Sequence, residues 1–152
     1  YIFVEQSNIY SMQRLLLLGL VSAMLTACTP DEVTEVKSTY PSGEKKVEYI
    51  LSPTETDEFI KVGERHYYEN GQIELEGRYD SEGKRQGRWK YWYPNGKLWS
   101  MCDYSSGLKD GESKVYFENG KVRYFGEYKE DKKIGTWKFY EESGQLTNEI
   151  RY

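Results

Sequence analysis

Few residues in this chain have the types and spacing that catalysis uses. There is one histidine, His66, and there are two cysteines, Cys28 and Cys102. A general base needs a tuned pKa and a partner that orients it. A His–Cys or His–carboxylate site is hard to assemble around one imidazole, so His66, on the more buried face by strand alternation, is read as a satisfied structural side chain. No Cys-x-x-Cys, His-Glu-x-x-His, P-loop or Gly-x-Ser-x-Gly pattern occurs. Asp and Glu are scattered through turns and outward positions rather than paired in an apolar setting. The expectation is a non-catalytic protein without metal or cofactor. Its chemistry lies in flat rings. Lys90–Trp99, KYWYPNGKLW, places four aromatic residues around an Asn-Gly pair. Such a cluster can be a binding platform or the packing of a hairpin.

Composition limits what can hold these rings. The chain has 152 residues, enough for one ordinary domain. Aromatics make up 16 %, with 15 Tyr, while apolar content is 38 % and mean hydropathy is -0.83. A packed α/β core needs more Leu, Ile and Val than this, so the aromatics must supply buried area while Tyr hydroxyls stay wet. Net charge is -4, from 21 basic and 25 acidic residues mixed along the chain. No basic stripe stands out, and no nucleic-acid partner is expected.

The N-terminal region reads differently. In MQRLLLLGLVSAMLTAC (12–28), Arg14 precedes an apolar run and small residues precede Cys28. That is the layout of a secretory signal. Leu15–Ala27 is 13 residues, short for a helix crossing about 30 Å of hydrocarbon. Leu25-Thr26-Ala27-Cys28 resembles the lipobox of bacterial lipoprotein precursors, which implies lipidation of Cys28, cleavage before it and a membrane partner. The alternative is an uncleaved apolar anchor. By resemblance to Gram-negative lipoproteins, Thr29 in place of Asp implies the outer membrane, facing the periplasm. Residues 1–11 are read as a non-native upstream extension, 12–27 as the signal, 28–37 as a polar tether and 38–152 as the folded domain, with 38–62 divergent.

Self-similarity organises that domain. Turn glycines fall at Gly43, Gly71, Gly96, Gly120 and Gly144, and a second set at Gly63, Gly87, Gly111 and Gly135, the latter each 24 apart. Tyr79, Tyr104, Tyr128 and Tyr152 follow the last four turn glycines by eight residues. Each unit reads strand, turn, strand. Asn-Gly between aromatic and β-branched residues predicts a two-residue type I′ turn. Polar links (Asp80–Gln86, Ser105–Asp110, Lys129–Ile134) join successive hairpins. The predicted fold class is all-β, an antiparallel meander of about four and a half hairpins.

The pattern Gly-x-Trp-x-x-Tyr/Trp-Tyr/Phe-x-Asn-Gly-x-Leu, clearest at Gly87–Leu98, resembles the MORN-repeat variant of bacterial toxin–antitoxin system YwqK family antitoxins. The likeness covers Gly63–Tyr152 and, more weakly, Ser38–Leu51. It implies a repeat sheet and an antitoxin-like partner of a toxin protein in the cytoplasm. The leader argues instead for the cell envelope.

A two-residue turn at Asn95-Gly96 sets Tyr93 opposite Leu98, Tyr91 opposite Ser100, Trp89 opposite Cys102 and Gly87 opposite Tyr104, all on one face. On that reading the ladder glycines leave room for tyrosine rings. Cys102 fills the slot of Gly77 and Gly126 as a small buried thiol. The other face carries a row, Tyr67, Trp92, Tyr116 and Tyr140, with Trp99 cross-strand from Trp92 and Phe125 extending the surface. The candidate binding residues are Tyr67, Trp92, Trp99, Tyr116, Phe125 and Tyr140. The row either stiffens a thin sheet or contacts a partner. Expected functions are a lipid-anchored scaffold or protein-binding surface, with envelope glycan or lipid binding and an antitoxin-like role as rivals. Open strand edges leave edge-to-edge self-association possible.

Overall fold

The computed structural model describes residues 32–56 and 58–152. The leader, Cys28 and the first tether residues lie outside the described residues. Ten strands form one antiparallel sheet in chain order: β1 Val33–Thr39, β2 Lys45–Pro53, β3 Phe59–Tyr67, β4 Ile73–Tyr79, β5 Arg85–Trp92, β6 Leu98–Ser105, β7 Leu108–Tyr116, β8 Val122–Lys129, β9 Lys132–Tyr140 and β10 Leu146–Arg151. The described residues include no helix long and apolar enough to cross a membrane. The all-β meander expected from the glycine ladders is present, with five hairpins rather than four and a half. The extra half comes from residues expected in the tether. Val33–Lys37 begin β1 and pair with β2, Val33 opposite Leu51 and Glu35 opposite Tyr49. The residues between Leu51 and Val62, which match nothing in the other repeats, lengthen β2 and β3. Their connection closes where the Thr54 N–H donates to the Glu58 carbonyl at 2.7 Å.

The turns differ from expectation in an instructive way. At Tyr93-Pro94-Asn95-Gly96 the Gly96 N–H donates to the Tyr93 carbonyl and the Tyr93 N–H to the Lys97 carbonyl, both at 2.8 Å. Gly96 has φ +79°, but Asn95 is not left-handed. This is a three-residue loop closed by a glycine bulge, and it recurs at Gly43, Gly71, Gly120 and Gly144. In this hairpin Pro94 carries a cue: lacking an N–H it cannot close a two-residue turn at Asn95-Gly96, and its φ near −65° suits the first central position of the longer loop, which Glu69, Glu118 and Glu142 fill in other hairpins. The Asn95 side chain then accepts the Lys97 N–H at 3.0 Å. Two-residue loops with both central φ positive do occur, but at the links, Ser106-Gly107 and Glu130-Asp131.

The glycine-bulge turn displaces the register by one residue, and a second bulge restores it. Trp92 pairs with Leu98 while Tyr91 pairs with Ser100, so Trp99 is the extra residue. Tyr93 therefore does not face Leu98. Leu98 joins Trp92 on one face, and Trp99 turns to the other. The same bulge places Lys46, Glu74, Arg123 and Thr147 in the equivalent position of their hairpins.

At the links the sheet is bent by a different device. Glu76 pairs with Lys90 and Arg78 with Gln86, so Gly77 alone opposes Gly87–Trp89. Asp103 and Gly126 oppose three residues in the same manner. Gly87, Gly111 and Gly135 sit in these bulges at φ +67°, +119° and +65°. A Cβ at Gly87 or Gly135 would meet nothing within 4 Å. Room for a tyrosine ring is thus not why glycine stands there. The left-handed backbone is. Gly63 is not their equivalent. Its φ is ordinary, and it packs against Ile50 and Arg78.

A sheet one layer thick must bury its largest side chains within itself. Trp89 (0 % exposed) and Trp137 (1 %) lie on the face of Tyr91, Cys102 and Val115. The Trp89 indole has Gly77 as its floor, Tyr79 and Tyr104 as edge-on walls at 5.3 and 6.4 Å, and the Arg85 guanidinium above it at 4.1 Å. Trp137 repeats the box with Gly126, Tyr128, Tyr152 and Lys133 at 4.5 Å. Each indole N–H is satisfied, Trp89 donating to the Arg78 carbonyl at 3.0 Å and Trp137 to the Glu127 carbonyl at 3.3 Å. In the hairpin between them Ser113 replaces Trp and faces Cys102. Cys102 is a buried free thiol, as its glycine-slot position suggested, and burial pushes its pKa up.

Candidate functional site

The structure divides the candidate residues between the two faces. Tyr67, Trp92, Tyr116 and Tyr140 do form a row, each half-buried beside a cross-strand aliphatic partner: Ile73, Leu98, Val122 and Leu146. Phe125 is on the same face and stacks on Tyr140, centroids 6.2 Å apart and planes at 17°. Trp99 is not there. The expected cross-strand Trp pair is absent because the bulge carries Trp99 to the opposite face. There it packs against Tyr91 at 6.1 Å, edge-on, and Tyr93 at 6.0 Å. Arg123, the equivalent bulge residue of its hairpin, lies over the Phe117 ring at 5.7 Å. His66 is on the expected face but half-exposed, its Nε2 3.5 Å from Glu64.

Much of the Tyr67–Phe125 face is occupied by its own polar contacts. A line of cross-strand partners runs Glu48, Arg65, Glu76, Lys90, with ion pairs of 3.5–3.6 Å between neighbours. Glu48 is 3 % exposed. Burial works against its charge. Hydrogen bonds from Lys45 at 2.8 Å and from the Tyr67 hydroxyl at 2.7 Å outweigh burial and hold its pKa below the usual carboxylate value. Tyr67 is thus committed to Glu48. Arg88 forks onto Asp103 at 2.7 and 2.8 Å and lowers its pKa. A shallow hollow of about 390 Å³ is lined by Glu112, Phe125, Glu127 and Lys138, among others. Glu112 is already paired with Lys114 at 2.9 Å. No described group of three or more His, Cys, Asp or Glu is placed to hold a metal ion.

Two further features of the sequence contribute to these packing sites. The first is a third ladder: Lys61, Arg85, Lys109 and Lys133, each 24 apart and two residues before a ladder glycine. All four are cations resting on the rings of the Trp boxes, Lys61 on Tyr79 and Lys109 on Tyr128. The second is the turn corner. The hydroxyls of Tyr40, Tyr68 and Tyr93 donate to the carbonyls of Tyr67, Trp92 and Tyr116 in the next hairpin, each at 2.8 Å. Phe117 breaks this series. Spacing could have revealed both. What they contact follows only from the bulged register.

The bulge residues beside those corners make up the remaining candidate site. Lys46 lies over the Tyr40 ring at 5.4 Å and Trp99 against Tyr93. Glu74 acts on Tyr68, whose pKa is raised first by burial and then by that carboxylate. Lys46, Glu74 and Arg123 make no ion pair among the described residues. Trp99 is 43 % exposed. Five hairpins thus share one geometry, and at this position one of them presents an exposed indole where the others have Lys, Glu, Arg and Thr. Packing does not require the indole, since four hairpins close without it.

Comparison with known proteins gives a family and a likeness among solved structures. A family model described as a MORN repeat variant matches residues 63–81, 85–105, 109–130 and 133–152, one match for each hairpin from β3 onward. No curated protein matches the chain. Among solved structures, a "Crystal structure of GtfA/B complex bound to UDP and GlcNAc" aligns with a TM-score of 0.42 at 14 % identity, covering 80 % of this chain and 24 % of that one. The chain therefore spans about a quarter of that neighbour's length.

Proposed function

The chain belongs to the MORN repeat variant family, and from that premise we propose that it is a non-catalytic interaction module, a scaffold whose repeated hairpins hold an aromatic contact surface for another protein. The observation that carries this reading is Trp99, exposed at a position that the other hairpins fill with small or charged side chains. An exposed indole on a rigid frame is the kind of anchor that dominates protein interfaces. The leader sequence adds the second half of the reading: attachment through a lipid on Cys28, at the envelope and facing the periplasm.

Each half has its own test. Photo-cross-linking amino acids placed at positions 92 and 99 in intact cells should capture a protein, and Trp99→Ala should lose it from a pull-down while melting like the wild type. Absence of any protein adduct from either position would reject the interaction reading. For the anchor, wild type should fractionate with membranes and Cys28→Ser should not. A Cys28→Ser protein that remains with membranes sinks the lipoprotein reading, and a wild type found only in the cytosol favours an antitoxin-like role.

A further inference from the structure

The bulge row has a spacing and a charge order, and together they describe a ligand. Lys46, Glu74, Trp99 and Arg123 follow one another hairpin by hairpin on one face. Consecutive hairpins advance by two strand spacings, roughly 9.4–9.8 Å. The order along the row is cation, anion, indole, cation. On the opposite face the corresponding charges neutralise one another: Arg65 with Glu76, Arg88 with Asp103, Lys138 with Glu149. In the bulge row Lys46, Glu74 and Arg123 have no ion-pair partner among the described residues. Each lies beside a half-exposed aromatic corner, Tyr40, Tyr68 or Phe117.

We infer that this row docks an extended, proline-rich peptide segment of a partner protein in the polyproline II conformation, presenting acid, base, apolar and acid at every third residue, to Lys46, Glu74, Trp99 and Arg123 in turn. The inference rests on the protein-interaction reading and narrows it. A polyproline II helix repeats its face every three residues, a rise of about 9.3 Å. Over the three steps from Lys46 to Arg123 it drifts about 1 Å from the row. An α-helix repeats its face after two turns, about 10.8 Å, and drifts about 4 Å. A β-strand turns residues three apart to opposite sides. Aromatic-lined surfaces are also what proline-rich segments recognise elsewhere. The charge order distinguishes this segment from its charge-reversed counterpart, and the central indole takes the apolar residue.

The test uses the purified full chain and two acetylated peptide amides, Glu-Pro-Pro-Arg-Pro-Pro-Leu-Pro-Pro-Glu and its charge-reversed form, Arg-Pro-Pro-Glu-Pro-Pro-Leu-Pro-Pro-Arg. Calorimetry should give the first at least tenfold the affinity of the second. A triple variant, Lys46→Glu, Glu74→Arg and Arg123→Glu, should invert that preference, and Trp99→Ala should weaken both peptides at least tenfold. All four side chains lie on the surface, and thermal melts check that the variants remain folded. Equal affinity for the two peptides, or a preference that the triple variant leaves unchanged, overturns the inference. The cross-linking experiment separates the two levels of the proposal. Adducts to a protein at position 92 but not 99, or at 99 to a helical segment, overturn the docking row and leave the interaction reading standing. Adducts at 99 only to glycan or lipid overturn the row as well.

Discussion

The indole of Trp89 rests directly on the α-carbon of Gly77, so that any Cβ at that glycine would overlap the ring. Gly126 and Trp137 repeat the relationship. Between them Cys102 faces Ser113. The floor of each box is small where its occupant is large and larger where its occupant is small. Volume matching of this sort is what close packing demands where the described residues form a single sheet.

Gly77→Ala should therefore cost about 3 kcal/mol or more, because the ring is held on every side and no neighbour can give way. Gly87→Ala meets open space and should cost only about 1–2 kcal/mol, from forcing an L residue into a left-handed backbone. Urea unfolding of both variants distinguishes steric from conformational glycines.

Ser113→Trp alone should destabilise, since the new indole would sit on the Cys102 side chain. Adding Cys102→Gly should recover much of the loss, giving a coupling of about 1–3 kcal/mol in the double-mutant cycle. Additive effects would mean that the two positions do not form a box.

Tyr67→Phe removes the hydroxyl that donates to buried Glu48 and should cost about 1–2 kcal/mol at pH 7. Glu48 has a depressed pKa in the folded chain. Its stabilising contribution is therefore present above the unfolded value, near 4.3, and is lost as pH falls through the folded value. The gap between wild type and Tyr67→Phe should narrow below about pH 4. A gap independent of pH would show that the hydroxyl does not act through Glu48.

Phe117→Tyr should restore the corner hydrogen bond that the fourth hairpin lacks, donating to the Tyr140 carbonyl and adding about 0.5–1 kcal/mol. Tyr93→Phe should lose a similar amount. Thermal melts of the pair give opposite signs if the corners link neighbouring hairpins.

Glu130 holds φ +49° and Asp131 φ +64° in a two-residue loop. Glu130→Asn, which tolerates the left-handed region, should stabilise by about 0.5–1 kcal/mol. No change in the denaturation midpoint would argue that the loop relaxes elsewhere.

The repeat, the strand-turn-strand unit and the meander are legible in the sequence alone. Those follow from local signals, glycine spacing and period-two alternation, which act within a few residues. The sequence also identified Cys102 as a small-slot residue, because sister repeats could be compared at one position. It did not show which way Trp99 points. Side chains alternate with period two, so a single bulged residue reverses the face of everything before the next bulge. Pro94 carried the cue for the altered turn, but the compensating bulge after Leu98 arises from restoring the ladder with the neighbouring strands. Nor could local pattern give the Trp boxes, whose floor, walls and cationic lid come from different strands. Only the paired sheet brings Gly77, Tyr79, Arg85 and Tyr104 around Trp89, and only its bulges set an indole and three charged side chains in one row.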